Sequence, residues 1–259
     1  MIEKENRIIS FFSPSIESKC NERGICLGRR EFLKTLSGGI ILSLFSKKLD
    51  AQERVQSKSA LSAHAQSSNS ETIDVLQMAY KNEIQAYSNY KAYAQKAKSE
   101  NYPNLSYLFV SFEISESIHA HNFKQVLSEL GVEMKETPSP IVKVKGTRVN
   151  LKSALDFEML DIDQRYPQFI KKAKPENHEP TLRNLHYAWE TEKQHREIIQ
   201  KMQSGTGIFF GILAKKIEET SFQYFVCQTC GSTVVELPDK VCSICKSPVS
   251  LYKEVERLK

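Results

Sequence analysis

From residue 70 onward, apolar side chains recur at steps of three and four through most of the chain, the period of a helix with one buried face. The first such stretch carries Leu76, Tyr80, Glu83, Tyr87, Tyr90 and Ala94 along one side. Pro103 is placed to open a second helix, whose stripe runs Leu105, Leu108, Phe112, Glu116, His119, Phe123, Val126 and Leu130 and stops at Gly131. A Pro-containing loop from Val132 to Asn150 follows. The third stripe is Leu151, Leu155, Glu158, Asp161, Arg165 and Phe169, and the fourth, after Pro180, is Leu182, Leu185, Trp189, Glu192, His195, Ile199 and Met202. Ser204-Gly205-Thr206-Gly207 ends it. Four amphipathic stretches of this kind predict a mainly α fold built on an antiparallel four-helix bundle.

The stripes are not purely apolar. Each carries a carboxylate at a position that should face the core, and the second and fourth add a histidine three residues later. A buried, unpaired carboxylate costs several kcal/mol or neutralises itself, so several facing one another require cations between them. The i, i+3 spacing puts Glu116 with His119, and Glu192 with His195, one turn apart on the same face, where each pair reaches one metal centre. The placement also repeats: Glu83 to Glu158 is 75 positions, and Glu116 to Glu192 and His119 to His195 are each 76. A helix pair used twice gives that spacing. One Glu from each of two helices and Glu-x-x-His from each of the other two is the known pattern of ferritin-like di-iron and di-manganese proteins, and the sequence matches it. His121, His178 and His186 lack such companions and read as residues outside the centre.

Beyond the helical region the chain changes character. Cys227-Gln-Thr-Cys230-Gly231 and Cys242-Ser-Ile-Cys245 form two thiolate knuckles, a spacing that closes a tetrahedral four-sulfur site. A segment this short could scarcely fold without the metal. Four thiolates suit zinc or a single iron equally well. The expected organisation is therefore residues 70–203 as the bundle, 204–222 as a linker and 223–259 as a small four-cysteine domain.

Composition narrows the functional classes. The 36 basic and 31 acidic residues give a net charge of +5 without a basic block, which argues against nucleic-acid binding. No apolar run reaches the roughly 18–20 residues of a bilayer span. Residues 1–69 read differently from the rest. Gly28-Arg29-Arg30-Glu31-Phe32-Leu33-Lys34 precedes a short apolar run, Leu36 to Phe45, and resembles a twin-arginine export signal, with a Ser/Ala/Gln-rich tether after it. It predicts export to the periplasm or the outer face of the cytoplasmic membrane.

From Ser70 to the C-terminus the sequence resembles the rubrerythrins, which join a ferritin-like bundle to a rubredoxin-like tail. The resemblance implies that Glu83 and Glu158 are terminal ligands, that Glu116 and Glu192 bridge two irons, and that His119 and His195 complete them. It places Asp161 where the family has a glutamate that exchanges with the first histidine, one methylene shorter here, and makes Tyr90 and Tyr166 hydrogen-bond donors to ligand carboxylates. It favours iron over zinc at Cys227, Cys230, Cys242 and Cys245. The implied activity is reduction of hydrogen peroxide by two ferrous ions, re-reduced through the cysteine-bound iron from a donor the sequence does not identify. Family members set one subunit's four-cysteine iron near the other's di-iron site, so a homodimer is implied as well. The competing readings are a ferroxidase in iron handling and a non-enzymatic metal-binding protein with structural zinc in the tail.

Overall fold

The computed structural model describes residues 69–134, 140–203, 215, 217–219 and 222–258. The expected export signal, its tether up to residue 68 and most of the 204–222 linker lie outside the described residues.

Four long helical passages carry the stripes. Helix α1 spans Ser70–Ser99 and α2 Pro103–Glu129. Pro103 starts α2 with the fixed φ a first turn wants. The Glu218 carboxylate accepts from the N–H groups of Asn104 and Leu105 at 3.0 and 2.7 Å, satisfying free donors at the positive end of the helix dipole. At the other end Gly131 takes φ 77° and Val132 N–H returns 2.9 Å to the Leu127 carbonyl, the left-handed turn that closes a helix. The buried face of α1 differs from the sequence expectation. Tyr80 and Tyr87 are only half-buried, while Ala79, Ala86 and Ala97 are inside beside the expected Ala94. Alanine contributes little to an apolar pattern, but it lets a neighbouring helix approach closely.

Helix α3 runs Thr147–Leu160, beginning inside the stretch expected to be loop. The Thr147 N–H donates to Glu100 at 2.8 Å. This bond and the Lys96 ammonium hold the Glu100 carboxyl down to about 2. The passage then widens into a π-helical turn, Asp161–Arg165, and resumes as α4, Tyr166–Ala173. Pro167 explains the widening: it has no N–H to give to the Asp163 carbonyl, and its ring would clash there in an α-helix. Helix α5 spans Glu179–Gln203.

The core divides in two along the bundle. One apolar cluster gathers Val75, Leu76, Ala79, Phe123, Leu127, Tyr166 and Leu185; the other gathers Tyr90, Phe109, Phe112, Leu151 and Ile199 together with Tyr224, Val226 and Val255 of the tail. Between them in sequence on each helix sit the predicted ligands. Because the tail shares the second cluster, α2 is buried at every residue from Leu105 to Phe112 rather than on one stripe. Tyr107 fixes the join, donating to the Val255 carbonyl at 2.9 Å and accepting from Tyr224 N–H at 3.2 Å.

The tail itself is a three-stranded antiparallel sheet in the order β2-β1-β3, with β1 Phe225–Cys227, β2 Thr233–Val234 and β3 Tyr252–Glu254. Its register sets Cys227 opposite Tyr252 and Val226 opposite Thr233. No helix among the described residues is long and apolar enough to cross a membrane.

Candidate metal centres

Glu83 on α1, Glu116 and His119 on α2, and Glu192 on α5 each offer one ligand atom, all within 4.8 Å of one another. Glu116, Glu158 on α3, Glu192 and His195 on α5 do the same. Glu116 and Glu192 belong to both groups. Their two oxygens divide between the histidines: Glu116 Oε2 lies 2.9 Å from His119 Nδ1 and its Oε1 3.4 Å from His195 Nδ1, while Glu192 Oε1 lies 3.4 Å from His119 Nδ1 and its Oε2 3.1 Å from His195 Nδ1. Glu83 approaches only His119, at 3.4 Å, and Glu158 only His195, at 3.5 Å. The result is two adjacent positions with two shared carboxylates, one private carboxylate each and one histidine each.

All six residues are at most 2% exposed. Burial raises the Glu116 and Glu158 carboxyls well above the usual range, reinforced by Glu192 and, for Glu116, by Glu83. Burial pushes Glu192 the same way, but hydrogen bonds from His119 and His195 outweigh it and hold Glu192 low. Burial opposes a charge on His119, yet its bonds to Glu116, Glu192 and Glu83 raise it, whereas burial keeps His195 depressed. Such splitting is what crowded carboxylates with too little positive charge produce. Glu116 Oε1 and Glu158 Oε2 are also buried without a hydrogen-bond partner. Divalent cations satisfy both conditions, so the residues fit a di-metal centre.

The four cysteines meet the parallel test. Cys227 Sγ lies 3.7 Å from Cys245 Sγ and Cys230 Sγ 3.6 Å from Cys242 Sγ. A tetrahedron with metal–sulfur bonds of about 2.3 Å has edges of about 3.8 Å. The group fits one tetrahedral ion.

The two centres touch. His119 turns Nδ1 to the carboxylates and donates through Nε2 to the Cys230 carbonyl at 3.1 Å, which also accepts from Thr191 Oγ1 at 3.3 Å. His195 Nε2 donates to Thr233 Oγ1 at 3.3 Å. An outer hydrogen bond of this kind fixes the tautomer, leaving the Nδ1 lone pair for a metal. Ser115 Oγ donates to the Gly231 carbonyl at 2.9 Å and Asn122 Nδ2 to the Thr229 carbonyl at 2.9 Å, securing the first knuckle to α2.

A family model described as rubrerythrin matches residues 74–203, half of the chain. The chain belongs to the rubrerythrin family. Rubrerythrin-2 of Clostridium acetobutylicum is 30% identical over 178 residues, covering 68% of this chain and 92% of that protein. The rubrerythrin of Porphyromonas gingivalis is 25% identical over 193 residues, covering 72% and 91%. Among solved structures, nigerythrin in a fully reduced, all-ferrous state superimposes with a TM-score of 0.59 at 22% identity, over 71% of this chain and 86% of that one, a likeness of fold. The rubrerythrin family carries a di-iron site, and the two carboxylate–histidine groups and the cysteine group are where this member has ligands for two irons and a further metal.

Set against the family pattern, one expected ligand stands apart. Asp161 is buried but belongs to neither group. Its Oδ1 accepts from Asn82 Nδ2 at 2.9 Å and Arg165 Nη1 at 3.0 Å, and burial with the nearby Glu83 and Glu192 charges pushes its carboxyl up to about 8. Its side chain is one methylene shorter than the family's glutamate, and Asn82 and Arg165 are its hydrogen-bond partners. The tyrosines do what the rubrerythrin resemblance implied. Tyr166 Oη donates to Glu83 at 2.5 Å and Tyr90 Oη to Glu158, so each private carboxylate is held by a tyrosine from the opposite half. Glu83 to Tyr90 is seven positions and Glu158 to Tyr166 is eight. The π turn lies between the latter pair and absorbs the extra residue, which also accounts for the repeat offset of 75 rather than 76.

Contact between the centres is made inside one chain. The resemblance implies such a contact across a dimer, and the homodimer remains an expectation of the resemblance. Two further residues went unread in the sequence, Gly231 and Thr233. A glycine directly after a knuckle cysteine was the available signal for the first.

Proposed function

We propose that this protein is a di-iron oxidoreductase that reduces hydrogen peroxide, with electrons arriving through iron held by the four cysteines. The reading is supported above all by His119, whose two nitrogens join a four-carboxylate nest to the main chain of a cysteine ligand. Glu83, Glu116 and His119 with Glu192 would hold one iron; Glu158 and His195, with the same two shared carboxylates, would hold the other. When bound, the iron pair supplies the two electrons that cleave the oxygen–oxygen bond.

The chain's own part is orientation, exclusion and proton placement. Tyr90 and Tyr166, fully buried and facing carboxylates, are raised well above ordinary phenols, so they keep their protons and fix Glu158 and Glu83 in place. The near-complete burial of the ligand set admits only a small substrate and keeps bulk water out. Relatives named rubrerythrin support peroxide as that substrate, and the all-ferrous nigerythrin supports iron as the metal.

The test is metal analysis of the purified protein, its visible spectrum, and turnover with peroxide and with oxygen as separate oxidants. The expected result is about three irons per chain, counting the two bundle positions and one thiolate site, a coloured thiolate–ferric band, and faster turnover with peroxide. Zinc alone at the cysteines, or oxygen consumption outpacing peroxide, would replace this reading with the structural-zinc or ferroxidase one. The twin-arginine pattern at Arg29 and Arg30 adds the proposal that the folded, metal-loaded protein is exported. Unchanged export after Arg29→Lys with Arg30→Lys would remove it.

A further inference from the structure

Tyr252 lies at the start of β3, opposite Cys227 in the sheet, with its ring running past the cysteines into the interface with the bundle. Its hydroxyl is 3.2 Å from Cys242 Sγ, placed to donate, and accepts from Ser232 Oγ at 2.9 Å, with the side-chain amide of Gln194 on α5 a further 2.9 Å from that serine oxygen. Ser232 is fully buried and Tyr252 nearly so. Main-chain N–H groups also aim at the sulfurs: Thr229 and Cys230 at Cys227, Ser232 at Cys230, and Cys245 at Cys242. Those donors come with the turn of the knuckle. The tyrosine hydroxyl does not, because it reaches Cys242 from β3.

We infer that Tyr252 is a potential-setting residue, whose hydroxyl favours the reduced state of iron at the four cysteines by donating a hydrogen bond to the Cys242 sulfur. A four-thiolate iron has net charge −1 when ferric and −2 when ferrous, and in the reduced state each sulfur carries more negative charge. A donor at a sulfur therefore binds the ferrous form more strongly, and the gain is largest where water does not compete. No proton changes hands. Tyr252 keeps its proton, since burial and the Cys242 sulfur both push the phenol well above its ordinary range. The electron enters alone and the hydrogen bond tightens in response.

The consequence is directional. A higher potential at the cysteines makes that iron easier to reduce by a weak donor and lowers the drive for the onward step towards His119. Tyr252 thus divides the available driving force between the two transfers. Its position supports this use: the network Cys242–Tyr252–Ser232–Gln194 ends beside His195 on the helix that carries Glu192 and His195 of the di-metal ligands.

The inference rests on iron being the cysteine metal, and the experiment separates the two questions. The full-length chain is reconstituted with ferrous iron whatever metal it carries as purified, and the thiolate–ferric band, which reports only the cysteine site, is followed in a redox titration. Tyr252→Phe keeps the ring and removes the hydroxyl. It should shift the equilibrium towards the ferric form by several-fold to tenfold, tenfold being about 59 mV for one electron. Incorporating a monofluorinated tyrosine at 252, a stronger donor of the same shape, should shift it the opposite way, and this second variant remains informative if the phenylalanine chain does not load. An unchanged or raised potential in Tyr252→Phe, or an unchanged or lowered one with the fluorinated residue, overturns the inference. Zinc in the protein as purified would instead overturn the electron route while leaving the titration of the iron-loaded protein to decide on Tyr252.

Discussion

Gly231 lies so close to His119 that a Cβ built on it would fall 2.6 Å from Nε2 and 2.9 Å from Cδ2, with Ser115 Oγ also at 2.9 Å. Its φ of +80° is a further reason for glycine. The residue is what allows the Cys230 carbonyl to sit on the imidazole. Gly231→Ala is expected to push the knuckle off α2, costing roughly 1–3 kcal/mol as overpacking does. Both metal centres should still load, because no ligand changes. Re-reduction of the di-iron site by the cysteine iron should slow by about tenfold or more, since small misplacements at a transfer contact are costly. Rapid mixing with peroxide after chemical reduction reads this rate; wild-type kinetics would show that the contact is not the route.

Glu116→Ala or Glu192→Ala removes a ligand from both metal positions at once. Either change should abolish di-iron loading, while the cysteine metal stays bound because the two centres share no ligand. Conversely, Cys230→Ser should spare the di-iron site and slow steady-state turnover. Metal content per chain, measured beside peroxide consumption, separates these outcomes. Two extra ions retained in either glutamate variant would count against the shared-carboxylate geometry.

Asp161 is held by Asn82 and Arg165, away from the ligand groups. His119 is therefore expected to keep Nδ1 on its metal in both oxidation states. Asp161→Glu adds the missing methylene and should restore exchange between carboxylate and imidazole. Crystals of that variant, oxidised and reduced, check it: the same metal-to-His119 distance in both would mean that chain length at 161 is not what holds the histidine.

The same aspartate gives a pH signature in metal-free protein. Its carboxyl rises from 3.8 to about 8 on folding, so between those values the folded chain holds a proton the unfolded chain has released. Stability from this group is present in full below about 4 and is lost as pH climbs towards 8. Asp161→Asn keeps an oxygen for Asn82 and Arg165 without the charge, and should flatten the fall. Urea denaturation of chelator-treated protein across that range measures the slope; parallel curves for variant and wild type would reject the assignment.

The ligand types and their helical spacing were legible in the sequence because a carboxylate inside an apolar stripe is conspicuous. Tyr90 and Tyr166 followed from the resemblance, and the geometry gave them partners. What spacing could not reveal were long-range pairings. Nothing local marks Asn82 as the partner of an aspartate in another helix, or Tyr252 as a donor to Cys242. The π turn was hidden for another reason. Pro167 signals a disturbed helix, but whether the chain breaks, kinks or widens depends on the fixed ends at Glu158 and Tyr166, both tied to α1. Ala79, Ala86 and Ala97 on α1 carried too weak a signal to place the edge of its buried face, which is why Tyr80 and Tyr87 stood in for them.

His119 and His195 each spend their outer N–H on the cysteine module, one on the Cys230 carbonyl and the other on Thr233. Each ring is therefore oriented for its carboxylate-side metal by a module whose four cysteines would fold around an ion of their own. Two such sites obey linkage: whatever factor an ion at the cysteines contributes to affinity at the carboxylates, ions at the carboxylates return to the cysteines. Stripping either centre with a chelator should weaken the other's affinity without emptying it, and an assembling chain that fills one gains a tighter grip on what remains to be filled.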